Sequence, residues 1–174
     1  MKTKNIQKYL ESFAKKVLKK SESILKSKKG STNLAGTLRA KVEKEKQGFA
    51  VKFYMADYGT FVDKGVSGNQ KKRSFTNYKL TNESSPYSYK TKQPPSGALD
   101  RWAVRKNVAP RDEKGRFIQR KSLIFLIARK IKRDGIQGIS FFQKPLGLEY
   151  KKLQKGFLSE FTEDIKSYIT TFTR

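Results

Sequence analysis

The chain has 174 residues, with 40 Lys plus Arg against 15 Asp plus Glu, giving a formal net charge of +25. A compact monomer of this mass would expose about 8,700 Å², or one net positive charge per roughly 350 Å², far above the net charge of roughly 2–8 that keeps a small domain soluble. The sequence holds neither Cys nor His, which excludes disulfides, thiolate or imidazole metal sites, thiol nucleophiles and Ser–His–Asp triads. The charge therefore calls for a partner, and no metal or cofactor is expected.

The longest unbroken apolar run, Leu123 to Ala128, is far short of the ~20 residues of a membrane-spanning helix. The opening Met1-Lys2-Thr3-Lys4 is followed by residues interrupted throughout by lysine, without the apolar stretch of a secretory signal. A soluble, unsecreted protein with no membrane partner is expected.

Over residues 4 to 29, Ile6, Tyr9, Leu10, Phe13, Val17, Leu18, Ile24 and Leu25 recur at steps of three, four and seven, which predicts an amphipathic helix. Ten lysines and two glutamates lie between Met1 and Lys29. The wide apolar stripe favours core packing with a solvated cationic face over a helix lying on a membrane or on nucleic acid, and Gly30 is a candidate stop.

Leu38, Ala40 and Val42, and then Phe49, Val51, Phe53 and Met55, alternate with polar or outward residues on either side of Glu43 to Gly48. Two such period-2 segments predict an antiparallel hairpin with one buried face. From Gly65 to Gly97 the chain turns to Ser, Asn, Gln, Lys, Tyr and Pro. A long arm outside the core is expected there, ordered against a neighbouring subunit or against nucleic acid.

Pro94-Pro95, with Ser96 as a candidate N-cap, opens a predicted helix from Gly97 to Asn107 with Leu99, Trp102 and Ala103 on one side. A second begins after Ser122 and runs from Leu123 to Asp134, ending at Gly135, with Leu123, Ile124, Ile127 and Ile131 on one face and Phe125 and Leu126 on its flank. It should be buried more than halfway round at its start, while its cationic second half suits a helix C-terminus and a polyanion. From Leu148 onward, Tyr150, Leu153, Phe157, Phe161, Ile165, Tyr168 and Phe172 predict a long amphipathic helix. Its Glu149, Glu160, Glu163 and Asp164 form one of the few acidic patches, a candidate subunit contact.

These elements predict an α+β fold: an antiparallel sheet, with Arg116 to Arg120 as a further candidate strand, packed by the first and fourth helices. The expected organisation is one domain over 1–144 with an arm at 65–97, followed by a C-terminal amphipathic helix over 145–174 lying partly outside the core.

Asp57 and Asp63 are the closest approach to a metal-dependent nuclease cluster, which needs converging acids. They have no third acid near in sequence, and a turn in which Asp63 caps a backbone amide, with Gly65 and Gly68 beyond it, accounts for them more simply. No glycine-rich phosphate loop is present.

Tyr58-Gly59-Thr60-Phe61-Val62-Asp63-Lys64-Gly65 follows the second strand directly, a variable Gly/Ser/Lys-rich excursion comes next, and a cationic helix preceded by Gly115-Arg116-Phe117 closes the series. In these motifs, and in its order of helix, hairpin and closing helix, the chain from about residue 4 to residue 143 resembles the head-to-tail joining and tail-completion proteins of tailed bacteriophages. The resemblance implies a non-enzymatic virion protein of the neck or tail, made in the bacterial cytoplasm. It implies a homo-oligomeric ring with DNA crossing its bore and portal, neck or tail proteins as neighbours.

On that reading the candidate subunit contacts are Tyr58, Phe61, Asp63, Tyr87, Tyr89, Glu160, Glu163 and Asp164. The candidate nonspecific contacts to genomic DNA are Lys71, Lys72, Arg73, Arg129, Lys130, Lys132 and Arg133. Lys71 to Arg73 also form a candidate pair with the glutamates of the last helix across subunits. The alternative is a basic protein that grips phosphate backbones on its own account.

Overall fold

The computed structural model describes residues 4–29, 33–46 and 48–172. In chain order the elements are α1 (Lys4–Lys29), α2 (Asn33–Thr37), β1 (Arg39–Glu45), β2 (Gly48–Tyr54), α3 (Gly59–Lys64), β3 (Gly65–Val66), β4 (Ser74–Thr76), β5 (Asn82–Ser84), α4 (Ser96–Arg105), α5 (Arg120–Asp134), β6 (Ile136–Gln137) and α6 (Gln143–Phe172). The fold is α+β, with strands in three two-stranded sheets: β1–β2, β3–β6 and β4–β5. Gly30, the expected stop of the first helix, lies outside the described residues.

The chain forms two compact units. The larger comprises 1–63, 76–82 and 139–174, and the smaller comprises 64–75 and 83–138. The boundary expected at residue 144 therefore falls in the first turn of α6, and the segment expected as an arm contributes to the smaller unit.

In the larger unit, Ile6, Leu10, Phe13, Ala14, Val17 and Leu25 of α1 are buried, at the spacing that defines one helical face. Val17 and Leu25 join Phe13, Leu34, Leu38, Phe141 and Phe142 in the core. The hairpin places Ala40 opposite Phe53 and Val42 opposite Val51, so the apolar residues share the face turned to α1 and Lys41, Glu43 and Lys52 share the other. Phe53 meets Phe13 and Phe142 edge to face, at centroid separations of 6.4 and 5.3 Å. Strand β1 runs on to Glu45, because Glu43 is held by Lys41 and Lys52 on the charged face. The polar stretch expected to be loop is thus largely strand.

Helix α6 lies against α1, with Leu146 and Leu153 packed on the core. It begins at Gln143, ahead of the Leu148 start read from periodicity, since Pro145 is tolerated in a first turn where its missing N–H has no intrahelical partner. The last helix is therefore part of the principal core at its beginning. Phe141, fully buried just before α6, is a central residue that the periodicity did not select.

The smaller unit has a thinner interior. Ala103 of α4 and Ile124 and Ala128 of α5 are buried, together with Phe75. The small side chains allow the two helices to approach closely. Ser96 is the first residue of α4 rather than its cap, the cap position being Pro95 without a side-chain bond. Ser122 lies inside α5, which starts at Arg120. Phe125 and Leu126 are more than half exposed, so the start of α5 is less buried than expected. The 116–120 segment adds no strand to the sheet: Phe117 makes an isolated bridge to Arg111, and Arg120 has entered α5.

Candidate nucleic-acid interface and subunit contacts

The basic surface of the smaller unit is assembled by backbone pairing. Antiparallel pairing of β3 with β6 sets Gly65 opposite Gln137 and Val66 opposite Ile136, which brings the following loop to the end of α5. The carbonyls there accept from the loop: Asn69 N–H donates to Lys132 O at 2.9 Å, Gln70 N–H to Arg133 O at 3.1 Å, and Arg73 Nε to Asp134 O at 2.7 Å. A helix leaves its last carbonyls unpaired, and this loop satisfies them.

Two glycines make the approach possible. Gly135 has φ +71°, and a Cβ there would lie 2.2 Å from Val66 O, while a Cβ on Gly68 would lie 2.1 Å from Arg133 O. Neither backbone atom can yield as a flexible side chain would, so the close approach requires glycine at both positions.

The consequence is that Lys71, Lys72 and Arg73 gather with Arg129, Lys130, Lys132 and Arg133 around one helix C-terminus, although about sixty residues separate the two groups in sequence. The helix dipole favours cations there. Not all seven are equally available. Arg73 is committed to Asp134 O, Lys132 Nζ donates to Thr91 O at 2.7 Å, and Arg133 is bonded to Asp134 through Nε and Nη2 at 2.8 and 3.0 Å. The Arg133 guanidinium holds the Asp134 carboxyl below its usual range. Lys71, Lys72, Arg129 and Lys130 are exposed and form the accessible part of the surface.

The candidate subunit contacts divide sharply. Tyr58 and Phe61 are exposed aromatics, 48% and 45% accessible, on and beside α3. Tyr87 and Tyr89 are half-buried, because residues 87–89 run beside Ser67: Ser67 N–H donates to Tyr87 O and Tyr89 N–H to Ser67 O, each at 2.8 Å. Burial pushes the Tyr89 phenol up. Their segment is pinned within the smaller unit and is no free arm.

Asp63 and Asp164 are buried and carry internal duties, so neither is available as a surface contact. Asp63 Oδ1 accepts from Phe142 N–H at 2.8 Å and more weakly from Gln143 N–H at 3.5 Å, at the start of α6. Asp164 accepts from Asn5 and Ile6 N–H at 3.3 and 3.1 Å, at the start of α1. Neither α1 nor α6 has an acidic residue in its own first turn. Each receives its cap from a distant residue, where a carboxylate is stabilised by unpaired N–H groups and the positive end of the helix dipole. The cap expected of Asp63 is thus present, directed at a helix 80 residues away.

Glu149 is buried too. Lys20 bonds to it and Lys152 lies 3.6 Å away, and the Lys20 ammonium holds its carboxyl below the usual range. Of the acidic patch expected on the last helix, Glu160 and Glu163 remain toward the surface, with Glu163 2.9 Å from Lys166.

Sequence reasoning missed a basic hairpin tip at 111–117. Asp112 Oδ1 accepts from Lys114 and Arg116 N–H at 3.0 and 2.8 Å, Arg116 returns an ion pair of 2.9 Å, and the Arg111 guanidinium stacks 4.1 Å from the Phe117 ring centroid. The Asp-x-x-Gly spacing of Asp112 and Gly115 was the available signal, since Asp side chains close such turns and glycine supplies the positive φ.

Among the described residues, no group of three or more acidic side chains is placed to hold a metal ion, and no helix is long and apolar enough to cross a membrane. No protein-family model, no curated protein and no solved structure matches this chain.

Proposed function

We propose that this protein is a structural, non-enzymatic component of a tailed-phage virion, a homo-oligomeric ring of the neck or tail around the DNA channel, flanked by portal, neck or tail proteins. The observation that carries the reading is unburied surface. The chain exposes 12649 Å², whereas two separate compact bodies with the sizes of its two units would expose only about 10,400 Å² by area scaling. Large aromatic and aliphatic side chains contribute to that surface, including Tyr58, Phe61, Trp102, Phe125, Leu126, Phe157, Leu158 and Phe161. Exposed apolar surface on this scale fits a subunit whose partners complete it, and the motif resemblance around Tyr58 to Gly65 says which kind of assembly. Native mass measurement with and without DNA and neighbouring virion proteins should give a closed ring of identical copies. Monomer under every condition would overturn the proposal.

The seven cations around the end of α5 favour a second reading, a protein that binds phosphate backbones independently. That reading requires affinity for duplex or single-stranded DNA to fall by about 10³–10⁵ between 50 and 200 mM salt, as for a protein neutralising about 6–10 phosphates. Weak binding with a shallow salt slope by the isolated subunit supports the ring, where many subunits share the contact.

A further inference from the structure

We propose that the outward side of the α1–α6 seam is a second surface for the phosphate backbone of DNA, carried by Lys16, Lys19, Lys20, Lys152 and Lys155. It goes beyond the ring reading, whose candidate DNA contacts all lie in the smaller unit. The apolar stripe of α1 is buried in the core. The cationic face left over is organised by its neighbour rather than simply solvated.

The two helices run antiparallel: Ile6 N–H donates to Asp164, the Tyr9 hydroxyl to Lys152 O at 3.4 Å, and Lys20 to Glu149. A recess of about 40 Å³ at this seam is lined by Lys16, Lys152 and Glu149, among others. Three lysines thus converge on one carboxylate. The bond from Lys20 chiefly, with the charges of Lys152 and Lys16, holds the Glu149 carboxyl below its usual range. Its side chain is only 5% exposed, whereas those of Lys20 and Lys152 are 46% and 70% exposed. The carboxylate therefore fixes two ammonium groups from beneath, and the surface presents positive charge. Lys19 and Lys155, both exposed, follow one helical step outward from Lys16 and Lys152.

The remaining acids of the two helices stand away from this side. Helical spacing turns Glu11 and Glu22 to the side of α1 opposite the seam, where Glu11 accepts from Gln7. Glu160 and Glu163 lie two and three turns beyond Lys152 on α6, about 12 and 16 Å along the axis. That exceeds the screening length of about 8 Å at physiological salt, and Glu163 is paired with Lys166. Asp164 is buried at the start of α1.

The chemistry of the patch favours phosphate over protein or lipid. Protein interfaces are rich in aromatic anchors and poor in lysine, yet the exposed Tyr150, Phe157 and Phe161 of α6 fall on the side of that helix opposite Lys152. A helix that lies in a membrane surface needs an available apolar face, and that of α1 is buried. Lysine ammonium groups without aromatic anchors suit sequence-independent contact with a phosphate backbone.

The test measures binding of the full-length protein to a short DNA duplex as salt is varied. Lys16→Gln, Lys19→Gln and Lys155→Gln together leave Lys20 and Lys152 on Glu149, so circular dichroism should be unchanged. This variant should lose at least about tenfold in affinity at about 50 mM salt, and its slope of log affinity against log salt should become shallower by about 2–3. Arginine at the same three positions should restore both. Lys28→Gln, Lys44→Gln and Lys46→Gln together remove equal charge from exposed positions off the seam and should leave binding nearly unchanged.

Equal losses in the two glutamine variants would show that net charge rather than this seam governs binding, and would overturn the proposal. So would an unchanged slope in the seam variant, or a wild-type protein that does not bind duplex DNA. Polyglutamate or phosphatidylserine vesicles held more tightly than DNA through the same three lysines would give the surface to another partner and overturn it too. Monomer in every native mass measurement, with the seam effect intact, would sink the ring and leave this surface standing.

Discussion

In the larger unit, Asp63, Glu149 and Asp164 lie buried on helix starts and beside Lys20, whereas in the smaller unit Asp100, Asp112 and Asp134 stay at the surface beside Arg120, Arg116 and Arg133. The larger unit carries 22 basic against 10 acidic residues, net +12 over 106 residues. The smaller carries 18 against 5, net +13 over 68. Placing acids inside the larger unit removes negative charge from its surface while anchoring two helices. The smaller unit has fewer acids and concentrates its cations at a helix end. The difference teaches that a chain this basic still spends carboxylates on architecture, and that net charge alone does not say which surface meets a polyanion.

The strongest test breaks the smaller unit alone. Gly135→Ala should cost that unit about 2 kcal/mol or more, combining left-handed backbone strain with a backbone clash against Val66. Hydrogen exchange should then lose protection across 64–75 and 83–138 and keep it along α1 and α6. Uniform loss would show that the two units do not differ in this way.

Removing a distant cap from the larger unit comes next. Asp164→Ala should cost about 1–2 kcal/mol in denaturant unfolding, as expected for loss of an N-cap. Glu163→Ala, removing an exposed ion pair on the same helix, should change stability by less than about 0.5 kcal/mol. Equal effects would contradict the division between internal and surface acids.

Acid sharpens the comparison further. Hydrogen bonds from Lys52 and Lys41 lower the Glu43 carboxyl to about 2, and Glu149 is lowered by Lys20. A carboxylate whose folded value lies below its unfolded value near 4.5 contributes fully above the unfolded value and loses that contribution as pH falls toward the folded one. Melting temperature should therefore be flat from pH 7 to about 5 and decline between about 4.5 and 2. Glu43→Gln should shrink the decline, and a slope unchanged by that substitution would remove Glu43 as a cause.

The smallest expected effect concerns Ser21, fully buried in α1 with no hydrogen-bond partner for its Oγ among the described residues. Ser21→Ala should leave stability unchanged or raise it by up to about 1 kcal/mol, since it removes an unsatisfied hydroxyl. A clear loss in thermal unfolding would mean that the hydroxyl has a partner.

Local periodicity made α1, the β1–β2 hairpin and much of α5 and α6 legible, because amphipathic spacing is written within each segment. The seven cations were legible as residue types, yet their meeting was not. It depends on β3 pairing with β6 and on loop amides reaching the carbonyls of Lys132 and Arg133. Phe75 looked like part of an open arm because its neighbours are polar, but backbone pairing carries it into a buried position.

By itself the sequence determined the helix faces, the hairpin, the excess of positive charge and the absence of Cys and His chemistry, since these are properties of composition and short-range spacing. Only the tertiary structure decided that Asp63 and Asp164 cap helices far along the chain, that the 65–97 segment folds back, and that Phe125 and Leu126 stay exposed. Those outcomes depend on which distant backbone donors and acceptors meet, and a burial pattern confined to one segment carries no record of its partner.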